Sequence, residues 1–337
     1  MSGSRKSTAE RMLLVMPSHQ LVTKAVEAGY RLWTLGDPEL VDTAFLPHLR
    51  EASEKLLLTD FGNETELRRV VARTVREAGI TTVVHCTGGA SLMSVVEEAW
   101  WLGAYPNPPE TVRRLCLDGQ PPSPAAPHLG VVTFTVDYQH RVVGMTQYRL
   151  DRSPRRLVNG YLHPAPLDDE VRQRVEKLVL ERLSASRYRS GAAYTEVTLT
   201  ADGPRLLTCQ PRLPPERVPV LMEVAGGFDF EGAFLNALSG RVPHVPPAHQ
   251  YAELGYLLLP KGVLLGYTGT EIIAVTPWVR RARFPYNVGS RIPHPSEEQA
   301  RHGYVVVEGD SPELTHARVT QARADLVTDI HRHGEPM

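Results

Sequence analysis

Lysine is scarce in this chain of 337 residues: there are five, Lys6, Lys24, Lys55, Lys177 and Lys261, with none between Lys55 and Lys177. Gly-rich phosphate motifs of the GxGxxG or P-loop kind are missing, so no backbone cradle for a nucleotide is written in the letters. The three cysteines, Cys86, Cys116 and Cys209, are scattered and lack CxxC spacing. That argues against a disulfide framework and a zinc site, and it fits a reducing cytoplasm. No apolar run approaches the length of a membrane span. The opening MSGSRKSTAER has basic residues but no apolar core behind them, unlike a secretory leader. A formal net charge of −1 gives no electrostatic case for nucleic acid or an anionic membrane.

What is present is an ordinary globular composition, 42% hydrophobic and 22% charged, in a chain long enough for two or three domains. The 28 prolines concentrate in connecting stretches and mark boundaries. Residues 1–118 alternate strands and helices with short connections: MLLVM, a helix from Gln20 to Ala28, YRLWTL, EKLLLTDF, a charged amphipathic helix from Glu64 to Gly79, TTVVHC and a helix from Ser91 to Leu102. This pattern predicts a doubly wound parallel α/β domain. The link GQPPSPAAPHLG, 119–130, reads as extended and exposed. An α+β middle domain follows over 131–245. It has a hairpin VVTFTVD-YQH-RVVGMTQYRL, a helix from Asp168 to about Ser184, a second hairpin AAYTEVTLT-ADGP-RLLTCQ turning at Asp202-Gly203, and a helix stopped by Gly240. An α+β C-terminal domain occupies 246–337, with GYLLL, GYVVVEG and a final helix from Ser311.

The second hairpin carries the chemistry in question. Strand alternation places Tyr194, Glu196 and Thr198 on one face, with Leu206, Thr208, Gln210 and Arg212 across from them. That face is either simply solvated or the floor of a cleft.

The order of segments resembles the ATP-grasp ligase superfamily, in its amino-acid and carboxylate–amine ligase branch. MPSHQLVTKAVEAGYRLWTLGDP and the run from VVHCTGGA through NPPETVRRL are similar to the domain that precedes the catalytic fold there. NGYLHPAPL and AAYTEVTLTADGPRLLTCQPRLPPERVPVLMEVAGGFDFEGAFLNALSG resemble its catalytic sheet, and VGSRIPHPSEEQARHGYVVVEGDSPELTHARV its C-terminal domain. The resemblance implies a hairpin that gives two acids and an amide to Mg²⁺ bridging the ATP phosphates, followed by Pro-Arg. Glu196 matches the first acid, but Thr208 stands at the second and Gln210 at the amide. Arg212 matches the arginine that steadies an acyl phosphate. The clamp that such enzymes close over the triphosphate, with two lysines and a Gly-rich flap, has only Thr111 to Gly130 to occupy, and that interval has no lysine. Each lost charged contact weakens nucleotide binding by a few kcal/mol, roughly, so the chain is expected to bind neither ATP nor a metal and to need no cofactor.

Other candidates have a plain structural alternative beside the functional one. Arg212 either anchors a carboxylate or pairs with Glu196. His19 and His85 lie at strand C-terminal ends, the usual ligand edge of an open α/β sheet. His85 with Cys86 is either a base and nucleophile or a loop His beside a buried Cys. Arg281, in Arg280-Arg281-Ala282-Arg283, either reaches an anionic group or blunts an edge strand. The tail His331-Arg332-His333 reads as disordered.

Two functions remain open, with a third behind them. One is a degenerate ligase homologue acting as a binding or scaffold partner, paired with an active relative or a second copy, in a pathway of peptide-like or amino-acid-derived specialised metabolites. The other is an ATP-independent enzyme on a small carboxylate or amino-acid-like substrate. In it Glu196 is the acid/base and Arg212 the anchor, His19 or His85 assists, and Tyr194, Thr198, Thr208, Gln210 and Arg281 line the site. The third is an intact ATP-dependent ligase whose clamp comes from a partner chain.

Overall fold

In the computed structural model, which describes residues 10–118, 126–151, 157–215 and 217–332, the chain starts with strands whose both faces are covered. β1 (Arg11–Val15), β2 (Arg31–Gly36), β3 (Lys55–Leu58) and β4 (Thr82–His85) form a sheet in the order β3-β2-β1-β4. Its three pairings are all parallel. The crossovers are α1 (His19–Glu27), α2 (Leu46–Ala52) and α3 (Glu64–Ala78), and α4 (Leu92–Trp101) and α5 (Pro109–Leu115) follow β4. The helix ends follow local chemistry. Ser18 accepts from the Leu21 N–H at the start of α1. α3 has Glu64 and Glu66 in its first turn and ends on Gly79 in the left-handed conformation. The doubly wound parallel domain expected from the sequence is present.

The second sheet has nine strands, in the order β13-β15-β11-β8-β7-β6-β9-β10-β5. They are β5 (Leu117–Asp118), β6 (His128–Val136), β7 (Gln139–Leu150), β8 (Val158–His163), β9 (Gly191–Thr200), β10 (Gly203–Gln210), β11 (Tyr251–Tyr256), β13 (Val279–Arg283) and β15 (Tyr304–Gly309). Every pairing in it is antiparallel. The sheet therefore runs without a break from the last residues of the first domain, through the middle region, into the C-terminal one. Residues 119–125 of the Pro-rich link lie outside the described residues.

α6 (Asp169–Ser186) packs on one face of this sheet; α7 (Val218–Gly226) and α8 (Phe230–Leu238) pack on the other. Phe134 of β6 touches Phe230 and Phe234 of α8 at ring distances of 5.2 and 5.8 Å. Each buried side chain of this size contributes roughly 2 kcal/mol. The same apolar core continues through Leu14, Leu21 and Val84, so the parallel sheet is fixed to the larger one. The final region adds β12 (Gly262–Thr268), α9 (Thr270–Val275), β14 (Arg291–Ile292), α10 (Pro312–Asp325) and β16 (Val327–His331), with a small sheet β14-β12-β16.

Three features differ from the sequence reading. α7 was not expected, because VPVLMEVAG is apolar all round and shows no helical period; it is buried on most sides. β8 is a full strand between β7 and β11. The tail is partly ordered, since His331 ends β16 opposite Val263, while His333 lies outside the described residues.

Candidate functional site

The β9–β10 register sets the geometry. Tyr194 faces Gln210 and Glu196 faces Thr208, but Leu206 faces Val197, because a bulge at Leu207 shifts the ladder. The extra residue turns Leu206 to the other face, where it packs with Val197 and Cys209. The expectation that Leu206 shares the face of Thr208 and Gln210 is thus corrected.

Glu196 is held by hydroxyls. Its Oε1 accepts from the Tyr148 phenol at 2.6 Å and its Oε2 from the Thr208 hydroxyl at 3.1 Å. Tyr148 donates its proton to Glu196, so the Tyr194 phenol, 2.9 Å away, donates to Tyr148. Burial, reinforced by Tyr194 and Glu196, pushes the Tyr148 phenol well above its ordinary value, which keeps it a donor. Tyr194 is 1% exposed and belongs to the core. Its ring lies across the β6 backbone at Gly130, where a Cβ would collide with the phenol. The face predicted to floor a cleft is therefore filled by tyrosines. Thr198 is buried with an unpartnered hydroxyl.

Arg212 is not paired with Glu196. Its guanidinium lies over the Tyr194 ring, 4.5 Å from the centroid, and donates to the Leu213 carbonyl at 3.1 Å. It also lines a cavity of about 220 Å³ that includes His85, Tyr105, Tyr188 and Phe234 but not Glu196. Leu213 donates its N–H to the Cys86 carbonyl at 3.1 Å, which brings the loop after β4 against the hairpin end.

His85 uses both ring nitrogens. Nδ1 accepts from the Gly88 N–H at 3.1 Å, so Nε2 carries the proton and donates to Ser91 at 3.0 Å. Burial pushes its pKa down to about 4 and pushes the Cys86 thiol up. This pair locks a loop. His19 stacks on His48 at 3.9 Å and lies beside Phe45, in a cluster that includes no hairpin residue. Arg281 makes an ion pair with Glu223 of α7 at 2.8 Å, and its neighbour Arg283 pairs with Asp42 at 3.1 Å. β13 is an edge strand, and both arginines of this face are used in structural pairs. The structure thus brings Tyr194, Glu196, Thr208, Gln210 and Arg212 together and leaves His19 and Arg281 elsewhere.

Tyr148 was missed by the sequence reading. It reaches Glu196 from β7, two strands away across β6, and no short-range pattern encodes that pairing. A pair of divalent cations does not fit this donor set. One carboxylate is present, both its oxygens already accept protons, and the opposite position is a neutral hydroxyl. Among the described residues no group of three or more His, Cys, Asp or Glu could hold a metal ion. None of the described helices is long and apolar enough to cross a membrane.

Residues 255–330 match the family described as L-amino acid ligase C-terminal domain 2. The whole fold is similar to a crystal structure of L-amino acid ligase from Bacillus licheniformis, with a TM-score of 0.79 and 15% identity over 96% of this chain and 99% of that one. It is also similar to phosphoribosylglycinamide synthetase from Anaerococcus prevotii, at 0.77 and 11% over 96% and 100%. A third likeness is to biotin carboxylase from Campylobacter jejuni in a complex with β-γ-ATP, at 0.68 and 12% over 95% and 92%. No curated protein sequence matches significantly. The chain is built on the fold of the ATP-grasp ligases, as its segment order suggested.

Proposed function

We propose that this chain is an ATP-grasp ligase homologue that does not use ATP. It acts as a cytoplasmic binding or scaffold partner of an active ligase relative, or of a second copy, in a pathway of peptide-like or amino-acid-derived metabolites. The observation that carries this reading is the state of Glu196. The one acid kept from the metal hairpin is consumed by two hydroxyl donors, in a face packed with tyrosine rings. Opening that face for a triphosphate means breaking both bonds and displacing Tyr194 from the core, at roughly 1–3 kcal/mol for each buried polar group left unpaired. The short link between β5 and β6, with no lysine from Lys55 to Lys177, supports the same reading. The repurposed-enzyme alternative has less support, because the cavity that Arg212 lines does not include Glu196.

The test is calorimetry of the purified chain with ATP and magnesium. No heat of binding is expected up to about 1 mM nucleotide, a range in which even micromolar affinity saturates. Magnesium-dependent uptake at micromolar concentration would sink the proposal.

A further inference from the structure

A neighbouring region of the nine-stranded sheet, beyond Tyr148, has the reverse character. A cavity of about 320 Å³ opens where β7, β8 and β11 meet α10, walled by Gln147, Arg149, Asn159, Glu253, His316 and Arg323. That volume is at the lower end for a small-molecule site.

Its charge is unbalanced. Glu253 is 1% exposed, and both its oxygens are satisfied. Oε2 accepts from Arg149 at 2.9 Å and from Thr315 at 3.0 Å, and Oε1 from His316 Nδ1 at 3.3 Å. Arg323, the second guanidinium of the wall, has no carboxylate in contact among the described residues; it donates to the Tyr256 carbonyl and to both oxygens of Asn159. Two guanidiniums thus share one carboxylate. Arg149 is also short of partners. The bond to Glu253 is the one hydrogen bond its guanidinium makes among the described residues, and its Nε is buried with none. An arginine carries five N–H donors in a planar fork, so donors remain at the cavity wall.

We propose that this cavity binds a small metabolite through a carboxylate or phosphate group, with Arg149 as the fork that receives it. Arg323 supplies the balancing charge, and the Gln147 and Asn159 amides bound the rest of the ligand. The charge count gives the sign of the ligand, and the planar fork gives its shape. Glu253 orients Arg149 and does not touch the ligand. Tyr148, the donor to Glu196, also lines this cavity, so the two sites are neighbours, but the groups proposed to hold the ligand, Arg149 and Arg323, take no part in the β9–β10 hairpin.

The experiment is thermal unfolding and calorimetry of the full chain, with inorganic phosphate, succinate and, as an uncharged control, glycerol. One of the two anions is expected to raise the melting midpoint and titrate to saturation; which one does so assigns the class. Arg149→Lys keeps the pair with Glu253 but loses the fork, and should weaken binding about tenfold. Gln147→Phe fills the cavity without altering its charges and should abolish the effect. If neither anion shifts the midpoint up to about 20 mM, where millimolar affinity saturates, the proposal fails. It fails equally if both variants respond as the parent does.

Discussion

Glu196 and Glu253 stand on strands of one sheet, and both have two satisfied oxygens, but their partners differ in kind. Tyr148 and Thr208 give Glu196 neutral hydroxyls. Glu253 holds a guanidinium and an imidazole as well as a hydroxyl. Neutral donors can hold a carboxylate in place, but they leave no spare charge around it. A cationic partner that is itself short of bonds leaves a surplus at the surface of a cavity. The first arrangement closes a site and the second keeps one open. Glu231, in the first turn of α8, is a third case: it is 4% exposed and has neither an ion pair nor a donor side chain among the described residues.

The largest effect that would break this comparison lies at Glu253. Removing it in Glu253→Ala leaves Arg149 half-buried without its anion, at a cost of about 3–5 kcal/mol in chemical denaturation. The double variant with Arg149→Met should recover most of that loss, because the cost is the stranded charge and not the missing contact. A loss below about 1 kcal/mol for the single variant would mean that the pair is solvated and the cavity charge is not as described.

Glu231 gives the next effect, and its sign follows from its environment. Burial, with Asp229 and Glu223 nearby, pushes its carboxyl from an ordinary 4.5 up to about 7. Between those values the folded chain holds a proton that the unfolded chain has released. Stability from this group is therefore present below about pH 4.5 and is lost as pH rises toward 7, by about 3 kcal/mol. His85 and His163 act in the opposite sense. Both are pushed down from 6.5 to about 4 by burial, so their contribution is intact above 6.5 and lost as pH falls toward 4. The parent profile partly cancels these slopes. Glu231→Gln removes one of them, and urea unfolding near pH 5 and near pH 8 should show the variant gaining on the parent as pH rises. Equal differences at both values would place the Glu231 carboxylate in water.

How far the letters reach can be argued from particular residues. MLLV and TVVH are apolar on both faces, and a charged amphipathic helix follows LLL, so the parallel sheet was legible. The two strands of the hairpin were legible too, but the two-residue turn at Ala201-Asp202 alone would set Glu196 opposite Leu207, and the bulge is what brings Thr208 there. The bulge was not: Leu206, Thr208 and Gln210 alternate in the sequence whether or not Leu207 is squeezed out of the ladder. The pairs that decide the chemistry join distant residues, Tyr148 with Glu196 and Arg149 with Glu253, and depend on the order of strands across the sheet. Local periodicity has no access to that order.

The smallest effect tests the closed face directly. Tyr148→Phe takes the proton from Glu196 Oε1 and the acceptor from the Tyr194 phenol, leaving one half-buried and one buried group short of one bond each. The ring and its contact with Tyr161 at 5.0 Å stay in place, so the loss should be confined to hydrogen bonding, about 1–2 kcal/mol. The variant also frees one oxygen of the retained acid. If the hairpin were a latent metal site, magnesium would bind the uncovered oxygen and restore the melting midpoint. With a single carboxylate and a threonine opposite it, the charge is too small to strip a strongly hydrated dication of its water. Magnesium is therefore expected to leave the midpoint of Tyr148→Phe unchanged, and a dose-dependent recovery would reverse the distinction between the closed face and the open one.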